Sequence, residues 1–177
     1  MSSEINQATE PRTRRFAWVD LAALLSGMGV GIGLARSALA TTKLDWRLDR
    51  DLAVMVCLLL VPPGIAWVML PWLLARRRAI WSVEMGLWLA IAVCGLAWTE
   101  VWLDGGVRLG AGAKLVGGIG AYFLSPAVGI GSLVVAAWSL IRGPRNVAWS
   151  LWLAVALGLT LGAGWIMFLA VMLPLRF

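Results

Sequence analysis

Read from its amino terminus, the chain alternates long apolar runs with short clusters of charge. The charges gather at Arg12 to Arg15, Lys43 to Asp51, Arg76 to Arg78, Asp104 to Lys114 and Arg142 to Arg145. An α-helix rises about 1.5 Å per residue, so about 20 apolar residues cross a hydrocarbon core about 30 Å thick. Five runs meet that length: residues 16–35, 52–75, 79–103, 115–141 and 147–175. They are apolar on every side instead of alternating, which excludes barrel strands and predicts helices. The expected fold is therefore all-α. A polar amino-terminal tail over residues 1–15 precedes one polytopic transmembrane helical bundle of five helices over residues 16–177.

The first run admits a second reading. Basic residues at Arg12 to Arg15, an apolar stretch and then Ser37-Ala38-Leu39-Ala40 have the layout of a secretory signal, whose cleavage would leave four helices. The stretch exceeds the roughly 7 to 15 residues of a signal's apolar region, and Arg36 falls before the small residues, so an uncleaved span is favoured.

Composition agrees with immersion in lipid. Of 177 residues, 61% are hydrophobic and 14% charged, too apolar for an ordinary soluble domain. The lipid bilayer is thus the first expected partner. The basic excess, 15 Lys and Arg against 9 Asp and Glu, fits membrane orientation and anionic lipid, and no nucleic acid is expected to bind. With five spans, the amino-terminal tail shares its side with the loops holding Arg76 to Arg78 and Arg142 to Arg145. The tight Arg76 to Arg78 cluster favours that side as cytoplasmic, giving a bacterial inner (plasma) membrane protein with its amino terminus in the cytoplasm.

Small residues recur at helical spacing within the runs. Ala23, Gly27, Gly31 and Ala35 stand four apart in the first, and Gly29 with Gly33 forms a second pair. Gly117, Ala121, Ser125 and Gly129 repeat the pattern in the fourth, and Ala154, Gly158 and Gly162 in the fifth. Such stripes let a neighbouring backbone approach closely. Gly27, Gly31, Gly117, Gly129, Gly158 and Gly162 are therefore candidate helix-packing positions, within the chain, in a homo-oligomer or in a membrane protein complex. The chain also holds 12 tryptophans. Trp18, Trp72, Trp81, Trp102, Trp138 and Trp149 lie near span ends, where an indole N–H reaches the headgroups. Trp67, Trp88, Trp98, Trp152 and Trp165 lie deeper and are expected to fill space against small residues.

Prolines supply the most specific chemistry. Pro62 and Pro63 fall mid-way along the second span and Pro126 mid-way along the fourth, so the carbonyls of Leu58, Leu59 and Tyr122 lose their helical partners. Interrupted spans that meet at the midplane form ligand sites in many carriers. Leu58, Leu59, Pro62, Pro63, Trp67, Tyr122, Ser125 and Pro126 make up the candidate site of that kind. The plainer reading is a pair of kinks whose carbonyls are satisfied by Ser125, Ser132, an indole N–H or local helix adjustment. It is favoured because no ionisable residue lies at the midplane.

Glu84, near the start of the third span, is a candidate proton or cation group, or an ion-pair partner of Arg77. Asp20 faces the positive end of the first helix. Asp45, Asp49 and Asp51 interleave with Lys43, Arg47 and Arg50, which suits a self-neutralised interfacial helix better than a metal site. The chain has no histidine, Cys57 and Cys94 stand alone, and no catalytic motif occurs. No enzymatic activity, metal or cofactor is expected. Two functions remain: a non-enzymatic packing or assembly component, or a small carrier or receptor for an apolar or weakly polar molecule at the proline-broken site.

Overall fold

The computed structural model describes residues 17–41, 50–76, 82–102, 111–143 and 148–172. They form five helices: α1 (Trp18–Thr41), α2 (Arg50–Arg76), α3 (Val83–Trp102), α4 (Ala111–Arg142) and α5 (Trp149–Met172). Each is long and apolar enough to cross a membrane, and no strand occurs among the described residues. The chain is an integral, multi-pass membrane protein. The polar tail over 1–15 and the interleaved charges of 42–49 lie outside the described residues.

Helix ends differ from the sequence expectation where local chemistry allows. α1 runs on to Thr41, past Arg36, because that side chain points outward while Ala35 and Ala38 are buried. The Ser37 to Ala40 segment is therefore part of the packed helix. At its start, Asp20 reaches back to accept the Ala17 N–H at 2.9 Å, filling an otherwise unmatched donor of the first turn. α3 is capped by Ser82, whose hydroxyl accepts the Met85 N–H at 3.4 Å. α4 ends at Gly143, whose φ of 93° is the left-handed conformation that glycine adopts freely.

α2 is the central helix. It packs against α1, α3 and α5, while α4 closes the far side against α3 and α5. α1 rests on α2 and touches α3 only at its edge. Accordingly 61% of the apolar stretch of α2 is buried within the bundle, against 22% of that of α1. The core holds Met55, Leu59, Leu60, Met69, Trp88 and Trp98, all fully buried.

Small residues set the helix separations. A Cβ on Gly27 would fall 2.7 Å from Ile65 Cα, and one on Gly31 2.7 Å from Val61 Cα. Those contacts are too short for any side chain, so the α1 and α2 backbones touch. Gly64 completes the contact by facing the Gly31 backbone. Across the bundle, a Cβ on either Gly129 or Gly162 would lie 3.1 Å from the other's Cα, and Gly158 lies against the Ser132 hydroxyl. Gly117 belongs to α4, but its surroundings lie outside the described residues.

Candidate functional site

Pro62 and Pro63 do not end α2, and Pro126 does not end α4, since both helices continue through them. The two broken helices do not pack on one another among the described residues, because α3 and α5 stand between them. The eight candidate residues therefore occupy separate settings. Leu59 and Pro63 are buried in the core, with the Pro63 ring against Gly95 of α3. Trp67 covers the same glycine and donates its indole N–H to the Ala92 carbonyl at 2.8 Å, tying α2 to α3. Tyr122 is 43% exposed and meets Trp165 edge to face at 5.7 Å. Ser125 is fully buried and Pro126 half-buried.

Leu58 and Pro62 line a groove between α2 and α5. Its volume is about 420 Å³, and Ala53, Val54, Cys57, Val61, Leu157 and Thr160 complete its walls. The lining presents no polar surface, and the groove is open at the side instead of enclosed. The Thr160 hydroxyl turns back to the Ala156 carbonyl at 2.8 Å, as Ser and Thr do inside membrane helices. Among the described residues no tryptophan lines this groove. The deep indoles instead fill the core: Trp88 and Trp98 are fully buried, and Trp98 meets Phe168 edge to face at 5.2 Å.

Ser125 joins three helical groups. Its hydroxyl donates to the Ala121 carbonyl at 2.8 Å, accepts the Trp98 indole N–H at 2.7 Å, and lies 3.2 Å from Cys94 Sγ. With its one proton given to Ala121, the oxygen has two lone pairs left, one for the indole and one for the thiol. Ser125 therefore serves the Ala121 carbonyl and not one of the carbonyls freed by proline, because a serine side chain in a helix bends back to the residue four before it. Ser132 does the same with Val128 at 2.8 Å. Among the described residues, the buried indole N–H groups of Trp88 and Trp165 have no hydrogen-bond partner.

Both buried carboxylates sit at the bundle end where α1, α3 and α5 begin. Asp20 is 2% exposed and accepts the Trp72 indole N–H at 3.0 Å. That contact gives the Trp72 indole N–H a partner on α1 at this end of the bundle. Glu84 is 6% exposed and accepts the Ser150 hydroxyl at 2.5 Å, linking α3 to α5. Arg77, its expected partner, lies outside the described residues. Among the described residues no group of three His, Cys, Asp or Glu side chains could hold a metal ion.

The packing glycines divide by face. Gly27, Gly31, Gly129, Gly158 and Gly162 all meet neighbouring helices of the same chain. Gly64, Gly95 and Gly164 do so too, although nothing in their spacing marks them; a Cβ on Gly164 would lie 2.9 Å from Leu58 Cβ. Gly29 and Gly33 are different, for nothing lies within 4 Å of a Cβ built on either. They belong to an outward stripe of α1, Ala22, Ser26, Gly29, Gly33, Ser37 and Ala40, all exposed and spaced three or four apart. Leu25, Ile32 and Val30 rise beside it and are also exposed. No family model, no curated protein and no solved structure matches this chain.

Proposed function

We propose that this multi-pass protein is a non-enzymatic assembly component that pairs with a second copy of itself through the outward stripe of α1. The observation that carries the reading is the second small-residue face on a helix whose first such face is already filled by α2. Lipid chains gain little from a shallow trough of Gly, Ala and Ser, whereas another helix gains close backbone contact. A two-fold axis lets one stripe serve both copies, with Leu25 and Val30 of each flanking the trough. We place the protein in a bacterial inner membrane, its amino terminus cytoplasmic, on the strength of the Arg76 to Arg78 cluster.

Cysteine crosslinking in native membranes tests the pairing. In a Cys57→Ala background, Gly29→Cys and Gly33→Cys are expected to give disulfide-linked dimers on mild oxidation, and Phe123→Cys on the outward face of α4 is not. Crosslinks to a different protein at Gly29→Cys and Gly33→Cys, or equal dimer yields on both helices, would contradict self-pairing through α1.

The second reading, a carrier or receptor for an apolar or weakly polar molecule, draws its support from the α2–α5 groove with Leu58 and Pro62 in its wall. Against it stands the separation of α2 from α4, which divides the proline-broken segments between two places.

A further inference from the structure

The α2–α5 groove has a direction. Its α2 wall runs from Ala53 to Pro62, nine residues along the helix, or about 14 Å at the α-helical rise. That is about half of a hydrocarbon core and hence the depth of one leaflet. Pro62 marks its inner end near the middle of α2, which spans Arg50–Arg76. The outer end lies one turn from the start of the helix.

Charge stands at that outer end. Arg50 precedes Ala53, Val54, Cys57 and Val61 by three, four, seven and eleven residues, so it lies on the same face of α2 as the groove. Asp51 is in register with Val54, Leu58 and Pro62 in the same way. Both are exposed, and among the described residues neither side chain has a hydrogen bond or an ion pair. A guanidinium suits a phosphate diester. The carboxylate beside it disfavours a second anionic group and favours an ammonium that can donate hydrogen bonds.

We propose that this groove seats one acyl chain of an aminophospholipid, with the lipid phosphate on Arg50 and its primary ammonium on Asp51. An open apolar groove, walled mainly by α2 over about one leaflet's depth, with a cation and an anion at its outer end, matches the charge order of that lipid class. The inference rests on the membrane-embedded fold and is independent of pairing through α1, which lies on the other side of the α2 contact at Gly64 and Ile65.

Native mass spectrometry of the detergent-purified full chain tests it, with dioleoyl phosphatidylethanolamine, phosphatidylcholine and phosphatidylglycerol as probes. The ethanolamine lipid is expected to be retained best. Arg50→Gln should weaken its retention about fivefold, the worth of one basic side chain at a membrane surface, and Arg50→Lys should restore most of it. Asp51→Asn should abolish the preference for ethanolamine over glycerol headgroups. Val54→Trp, at a position 45% exposed and therefore tolerant of bulk, should fill the groove and remove selective retention of every lipid. Stronger retention of phosphatidylglycerol by the unaltered protein, or undiminished retention by Val54→Trp with an unchanged elution volume, would overturn the proposal.

Discussion

The outward face of α4 is dominated by Ile119, Phe123, Ile130, Leu133, Val134 and Trp138, with Ala127, Gly131 and Ala137 set among them, whereas that of α1 centres on an unbroken run of small residues, Ala22, Ser26, Gly29, Gly33, Ser37 and Ala40. Both helices bury little of their apolar stretch, 28% for α4 and 22% for α1, so exposure alone does not separate them. Side-chain volume does. Bulky aliphatic and aromatic groups mix with acyl chains without loss, because lipid is as apolar as they are. A glycine trough exposes backbone and gains little until another backbone fills it. The inward faces offer a control for this comparison, since α1 and α4 each carry small residues there and both are filled, by α2 and by α5.

The largest effect is expected where the inward trough of α1 is blocked. Gly31→Leu must push apart the α1 and α2 backbones, because even a Cβ would sit 2.7 Å from Val61 Cα and 2.8 Å from Val61 O. Overpacking of this kind costs about 1 to 3 kcal/mol, more where backbone is the obstacle. A thermal melt in detergent should show a large drop for Gly31→Leu and a much smaller one, limited to lost pairing, for Gly33→Leu, two residues further along the same helix. Equal melts would mean that the two faces of α1 are equivalent.

A smaller effect is expected at the polar centre of α4. Ser125→Ala removes the acceptor of a fully buried indole and the partner of Cys94. Interhelical hydrogen bonds in membranes average about 0.6 kcal/mol with a maximum near 1.7, and the variant should fall within that range, with the Cys94 sulfur left beside the Trp98 indole. Denaturation in mixed micelles measures it, and a stabilised variant would refute the hub. Least of all is expected from Leu133→Ala on the outward face of α4, which should stay within about 0.5 kcal/mol of the parent. A loss comparable to that of Gly31→Leu would show that α4 is covered by protein and not by lipid.

Much of this architecture follows from local pattern. The number of spans comes from run length, and Gly27, Gly31, Gly129, Gly158 and Gly162 announce themselves by recurring every turn. What the pattern does not hold is the identity of each neighbour. Gly64, Gly95 and Gly164 have no small residue four away that shares their role: Gly64 faces the Gly31 and Gly27 backbone, Gly95 the Pro63 and Trp67 rings, and Gly164 the Leu58 and Leu59 side chains. Asp20 and Trp72 are 52 residues apart, so only the docking of α1 on α2 brings them together. The proposed meeting of Pro62 and Pro63 with Pro126 presumed adjacent helices, and helix order within a bundle is a tertiary property on which proline spacing carries no information. The first helix runs on past Arg36 for a related reason: a charge on an outward face does not stop a helix whose inward face remains apolar.

Pairing through the outward trough of α1 is the claim on which the functional reading depends. It is tested most directly by fluorescence energy transfer between donor- and acceptor-labelled copies diluted stepwise in lipid vesicles. Reversible transfer that weakens at least tenfold in Gly33→Leu and is unchanged in Leu133→Ala is the expected result. Transfer no greater than random proximity, or equal transfer in Gly33→Leu, would contradict it.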